Sequence, residues 1–290
     1  MGWFNKYWDL VDDYYWDLGK LGIRAIPKRA IAQSQEATII PNTFLNERGG
    51  ALYRRVGSAA ENLGHLHSDE VALNHALNFA LAIASEEIVS DLIFSPFGFK
   101  PKSAIQSVDK DISTYFGWPR NDTLTQHDGF YVADDAAVGL EIKLDADSHS
   151  DQIAKYVFLL MNEELRAAQK KHLGLLYIVP ESRVAYFRKK IEFPNATAAE
   201  SFIHGVQTKP KLRKLDKLIL EQRSAFEYAF KRLRIEVISW TNFHQSILNL
   251  VHEIPPLGPG NKSLRTLLLG LADAVEGHSG TEVAPDLIER

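Results

Sequence analysis

The spacing of apolar and polar positions divides the chain into elements. From Ser68 it predicts one long helix ending before Pro96. Ser68 is a capping residue, Asp69 and Glu70 suit the positive helix start, and Leu73, Leu77, Leu81, Ala84 and Ile88 form a single stripe. Between 124 and 144, two apolar runs meet at Asp134 and Asp135 and predict a hairpin. Strand alternation then puts Leu140, Ile142 and Leu144 on the core face and Glu141 and Lys143 on the other. A helix is expected from about 151 to 171. The run 173–179, stopped by Pro180, has the unbroken apolar character of a buried central strand. A helical, basic stretch follows over 209–234, and 233–240 alternates like another strand. Two strands joined through a long helix require a crossover and a parallel pairing, whereas the hairpin is antiparallel. The expected fold is therefore α/β, a central mixed β-sheet flanked by α-helices, with helical N- and C-terminal extensions.

The extensions have their own patterns. Residues 1 to about 20 concentrate Trp3, Phe4, Tyr7, Trp8, Tyr14, Tyr15 and Trp16, several at helical spacing. An aromatic helix face there is expected to pack on the body of the protein, on a second copy in a homodimer, or on a partner protein. Asp9, Asp12, Asp13 and Asp17 argue against base stacking, because they repel phosphate. Residues 21–55, with Pro27, Pro41, Gly49 and Gly50, read as an irregular arm. Gly258 to Ser263 reads as a hinge, Leu264, Leu267, Leu268 and Leu271 as a short amphipathic helix, and the stretch from Gly277 as a loose tail. The resulting organisation is an arm over 1–55, a main domain over 56–252 and a C-terminal extension over 253–290.

Composition narrows the functional classes. With 290 residues, 45% of them hydrophobic, the chain can bury a sizeable core. It has no cysteine, which excludes disulfide scaffolds and thiolate-bound zinc and fits a reducing cytoplasm. No apolar signal region follows Met1, and no uninterrupted run is long enough to cross a bilayer, so a cytoplasmic location without membrane contact is expected. A net charge of −4 argues against a general polyanion binder, yet 209–234 carries nine basic side chains against three acids. Lys209, Lys211, Arg213, Lys214 and Lys217 are the candidates for following a nucleic-acid backbone, with salt-dependent binding. His65, His67 and His75 match no zinc spacing, and neither a Gly-x-Ser-x-Gly elbow nor a dinucleotide fingerprint is present.

The chemistry concentrates in the hairpin. A two-residue turn at Asp134 and Asp135 puts Asp128 directly across from Glu141. Facing residues of this kind have Cβ atoms about 4.5–5.5 Å apart. Two carboxylates at that separation can share Mg²⁺, which binds oxygen at about 2.0–2.1 Å. Lys143 adds an ammonium on the same face. On the following helix, Gln152 and Tyr156 stand four residues apart, one above the other.

This set resembles the PD-(D/E)XK nuclease superfamily: an Asp on one strand, Glu141-Ile142-Lys143 on the next, and Gln152 and Tyr156 in the Gln-x-x-x-Tyr spacing of the RecB-type branch. His127 stands where the family motif has proline. The resemblance implies a restriction-endonuclease-like core, with Mg²⁺ or Mn²⁺ held by Asp128 and Glu141. It also implies a further acid from the first helix, for which Glu86 and Glu87, and behind them Glu70, are the candidates. Lys143 would orient the attacking water and stabilise charge on the phosphate, beside Gln152 and Tyr156. The expected activity is metal-dependent hydrolysis of phosphodiester bonds, in DNA foremost. The alternative is a non-catalytic nucleic-acid-binding or assembly protein on the same fold.

Overall fold

The computed structural model describes residues 43–45, 51–54, 70–108, 115–116, 128–144, 150–166, 172–190, 220–278 and 280–284. The aromatic segment 1–20, His65, His67, His127 and the basic residues Lys209, Lys211, Arg213, Lys214 and Lys217 lie outside them. The chain divides into two compact units, Met1–Ala72 and Leu73–Arg290. In the first, β1 (Thr43–Leu45) pairs antiparallel with β2 (Ala51–Arg54), Phe44 opposite Tyr53. The arm expected to be irregular therefore contains a strand pair.

Helix α1 (Glu70–Ile83) leads into the second unit. It is followed by α2 (Glu86–Val89), a π-helical turn (Ser90–Phe94) and a 3₁₀ turn (Ser95–Phe97). The single long helix expected here is broken at Ser85, which is extended (φ −69°, ψ 157°) and starts a new helix with Glu86 and Glu87 in its first turn. A capping residue followed by two acids is a strong local start signal, and it overrides the apolar stripe. Pro96 sits in the first turn of the 3₁₀ segment, where its missing N–H breaks no bond.

A five-stranded sheet follows in the order β3-β4-β5-β6-β7. Strands β3 (Gln106–Ser107), β4 (Gly129–Val132) and β5 (Ala136–Ile142) form an antiparallel meander. Helix α3 (Ser150–Arg166) then carries the chain to β6 (His172–Val179), parallel to β5. Helices α4 (Val184–Lys190) and α5 (Arg223–Arg232) precede β7 (Leu233–Ser239), parallel to β6. The mixed, helix-flanked sheet read from periodicity is thus present; the two-residue strand β3 carries no such signal.

Both faces of the sheet are covered. Phe130, Val132, Ala137, Leu173, Leu175, Tyr177 and Val179 meet Tyr156, Val157 and Leu160 of α3, Phe187 of α4, and Phe226 and Phe230 of α5. On the opposite face the Phe97 ring lies on Gly174, where a Cβ would come within 2.9 Å of it. Burial on both sides explains the continuous apolar runs of β5 and β6. It also corrects the expectation of an open polar face: the face that carries Glu141 and Lys143 lies under α3, and each is only 4% exposed.

The C-terminal part is more ordered than its composition implies. Ser239 caps α6 (Trp240–Glu253) by accepting the Asn242 N–H at 3.1 Å. The expected hinge is instead the start of α7 (Pro259–Glu276), an 18-residue helix with Pro259 in its first turn, entered through Gly258 at φ 104°. Arg265 of α7 donates to the free carbonyls of Val251 and, at 2.9 Å, Ile254, at the C-terminus of α6. Beyond α7, His278 and Thr281 are buried, and the Glu282 carboxylate accepts from the Ser182 N–H at 2.9 Å and hydroxyl at 2.6 Å. This stretch of the expected tail is packed because Glu282 finds a partner 100 residues away, while the Thr281 hydroxyl donates back to the Val275 carbonyl at 2.7 Å. Among the described residues no helix is long and apolar enough to cross a membrane.

Candidate functional site

The hairpin closes at Asp134 and Asp135, with the Ala133 N–H donating to the Ala136 carbonyl at 2.8 Å. From there the pairs run Val132 with Ala137, Tyr131 with Val138, Phe130 with Gly139 and Gly129 with Leu140. Continuing the same register by one step sets Asp128 across from Glu141, because a two-residue turn leaves no freedom in the pairing that follows.

Tyr156 joins the two acids. Its ring lies against β5 at Gly139, where a Cβ would come within 2.5 and 2.9 Å of two ring carbons. Glycine therefore allows the close approach that delivers the hydroxyl to the strand. That hydroxyl lies 2.8 Å from Glu141 Oε2 and 2.5 Å from the Leu140 carbonyl, sharing one proton between them, and accepts the Asp128 N–H at 3.1 Å. Burial pushes its pKa well above the usual tyrosine value, and the charges of Glu141 and Asp128 push it further. Tyr156 is thus a fixed proton donor and not a base.

The Asp128 carboxylate is held at both oxygens. Oδ2 accepts the Ile142 N–H at 2.9 Å, and Oδ1 accepts the Asn74 amide at 3.1 Å. Asn78, one turn along α1, donates to Asn74 Oδ1 at 2.7 Å and to the Asp128 carbonyl at 2.5 Å, and accepts from the Tyr131 hydroxyl at 3.2 Å. Lys143 Nζ lies 2.5 Å from Glu141 Oε1. Its backbone is pinned on two sides, the N–H donating to the Ile178 carbonyl at 2.9 Å and the carbonyl accepting Trp240 Nε1–H at 3.1 Å. Burying a carboxylate without partners is costly, and here the ammonium of Lys143 and the hydroxyl of Tyr156 offset that cost for Glu141.

Asp128, Glu141, Lys143 and Tyr156 therefore come together. Gln152 lies one turn before Tyr156 on α3, with its side chain outside the described set. Glu86 and Glu87 do not join the site, contrary to the expectation that one of them completes it. They line an open cleft of about 630 Å³ with Asp91, Lys100, Lys102 and Ser103. The Lys102 N–H donates to Asp135 Oδ1 at 3.3 Å, and Ser103 Oγ accepts the Asp134 N–H at 2.7 Å, so this cleft belongs to the closed end of the hairpin. The four residues of β4, at about 3.4 Å each, separate that end from Asp128. The Glu87 carboxyl is held below its ordinary range by its own backbone N–H and then by the Ser85 hydroxyl, a local helix-start contact.

The three arginines at the described end of the basic stretch are engaged within the fold. Arg223 pairs with Glu227 at 2.8 Å, while Arg232 pairs with Glu164 and stacks on the Tyr228 ring at 4.9 Å. Arg234 lies 5.3 Å over the Phe99 ring and 3.9 Å from Glu236. Sequence reasoning missed Asn74, Asn78, Tyr131 and Trp240. The first two carry a signal, an amide pair four apart in an otherwise apolar stripe; Trp240 carries none.

The donor set suits a hard cation. Asp128 and Glu141 offer carboxylate oxygens, Asp128 is only half-buried, and Mg²⁺ characteristically keeps several waters with one or two carboxylates. Among the described residues no group of three or more His, Asp or Glu forms a larger cluster. Comparison with protein-family models, curated proteins and solved structures finds no significant match.

Proposed function

We propose that this chain is a Mg²⁺-dependent nuclease of the PD-(D/E)XK type with a restriction-endonuclease-like core, hydrolysing phosphodiester bonds in DNA in the cytoplasm. The observation that carries this reading is the convergence of Asp128, Glu141, Lys143 and Tyr156 at the open end of an antiparallel hairpin. The element order supports it as well: a helix, three antiparallel strands, a helix, and a strand parallel to the third.

Asp128 and Glu141 would hold Mg²⁺ or Mn²⁺, which supplies an acidified water and charge neutralisation on the phosphoryl oxygens. The chain's own residues do the rest. Tyr156 and the Ile142 N–H fix the two carboxylates in one orientation before substrate arrives. Lys143, anchored through its backbone to β6 and α6, presents its ammonium to the attacking water and to negative charge growing on the phosphate. Lys209, Lys211, Arg213, Lys214 and Lys217 would follow the nucleic-acid backbone.

The test is cleavage of single- and double-stranded DNA and RNA in Mg²⁺ or Mn²⁺. Glu141→Gln and Lys143→Met are each expected to lower the rate by about 10²-fold or more while circular dichroism stays unchanged. Wild-type protein that cuts none of these substrates with either ion refutes the catalytic reading. One observation favours the second reading, a nucleic-acid-binding protein without catalysis: both oxygens of Glu141 are already engaged, by Lys143 and Tyr156, in a 4% exposed side chain. Calorimetric titration with Mn²⁺ separates the two, since only the catalytic site takes up the ion and loses it in Glu141→Gln.

A further inference from the structure

Resting on that nuclease reading, we infer that the site takes one divalent cation per chain, and that Asn74 is the positioning residue that orients Asp128 toward it while offering no ligand to a second. The amide contacts on α1 have a direction. The Tyr131 hydroxyl donates to Asn78 Oδ1 at 3.2 Å, Asn78 Nδ2 donates to Asn74 Oδ1 at 2.7 Å, and Asn74 Nδ2 donates to Asp128 Oδ1 at 3.1 Å. Since Asn78 presents its NH₂ to the Asn74 carbonyl oxygen, Asn74 must present its own NH₂ to Asp128. An amide NH₂ is a donor only and cannot ligate a cation. The α1 side of Asp128 is therefore occupied by hydrogens where a second ion would need an oxygen.

The charge balance points the same way. Asp128, Glu141 and Lys143 together carry one net negative charge. One divalent ion turns this into one net positive charge, which a single phosphodiester neutralises. A second ion would leave three positive charges beside a Glu141–Lys143 pair that is 4% exposed at each residue, with no further described carboxylate in the cluster to compensate them.

The test is a Mn²⁺ titration of the full chain by calorimetry and by the electron paramagnetic resonance signal of free Mn²⁺. Wild type is expected to bind one Mn²⁺, and Asp128→Asn to lose it. Asn74→Ala, which frees Asp128 without adding charge, is expected to keep one Mn²⁺ at about tenfold weaker affinity, as outer partners of metal ligands do. Asn74→Asp adds a carboxylate against Asp128. Its melting temperature should fall below wild type in EDTA and rise more than wild type on adding Mn²⁺, and the titration should show a second ion or an about tenfold tighter first one. Two ions bound by wild type and lost together in Asp128→Asn overturn this inference while leaving the nuclease reading intact. No ion bound by wild type overturns both. An Asn74→Asp variant with wild-type stoichiometry, affinity and Mn²⁺-induced melting shift removes Asn74 from its role. The wild-type stoichiometry needs no variant to fold.

Discussion

Replacing Tyr156 with phenylalanine removes one oxygen and leaves the ring on Gly139. The hydroxyl gives up its proton to Glu141 Oε2 and the Leu140 carbonyl, and accepts the Asp128 N–H. A hydrogen bond to a charged partner is worth about 1.5–3 kcal/mol and a neutral one about 0.5–1.5 kcal/mol, so with the shared proton counted as one charged bond the loss comes to about 2–4.5 kcal/mol. Urea denaturation in EDTA at pH 7 measures it. The pH dependence tests the cause. The folded-state pKa of Tyr156 is raised, so its contribution is complete below the unfolded value near 10 and is lost as pH climbs toward the folded value. Phenylalanine has no proton to lose. The stability difference between wild type and Tyr156→Phe should therefore shrink, by about 1.4 kcal/mol at pH 11. A loss under about 1 kcal/mol at pH 7 would refute the hydroxyl's triple role, because even the weakest sum of the two bond types is larger. A difference that stays constant from pH 9 to 11 would refute the burial and charge argument.

Other outcomes follow from particular contacts. Gly139→Ala drives a Cβ into the Tyr156 ring and should cost about 1–3 kcal/mol in chemical denaturation while weakening Mn²⁺ binding; a variant matching wild type in both would mean the ring is not held there. Arg232→Ala leaves the Glu164 carboxylate, 7% exposed, without the guanidinium that joins α5 to α3. Since Arg232 keeps 23% of its side chain exposed, a cost of about 2 kcal/mol is expected, below the ~3–5 of a fully buried pair, and thermal denaturation checks it. Replacing Lys209, Lys211, Arg213, Lys214 and Lys217 by glutamine should flatten the log–log salt dependence of DNA binding by up to about 0.9 per residue lost; an unchanged slope removes this segment from the interface.

The parts of the fold that were readable in the chain are those set by neighbours in sequence. Asp134 and Asp135 define a two-residue turn, and the pairing of Gly129 with Leu140 follows from it by counting. The 3.6-residue period of α3, the unbroken apolar run of β6 and the alternation of β7 were likewise local, and the parallel order of β5, β6 and β7 follows from the helices between them. Local signals also misled where two of them competed. The stripe running to Ile88 promised one helix, but Ser85 with Glu86 and Glu87 begins another, and the two acids then face a cleft at the wrong end of the hairpin. Gly258 and Pro259 promised a hinge, although glycine before a helix and proline in its first turn are equally good start signals.

By itself the sequence determined which residues alternate, where the chain turns, and hence that one Asp meets one Glu across a hairpin with a lysine two residues on. The tertiary structure alone decided what surrounds them. Asn74 reaches Asp128 across 54 positions, Trp240 reaches Lys143 across 97, and α3 lies over a face that alternation had marked as polar. Such contacts depend on how layers pack and not on any period within a strand or helix. A buried polar group must find its partner in three dimensions, and the chain carries no local pattern that names the partner in advance.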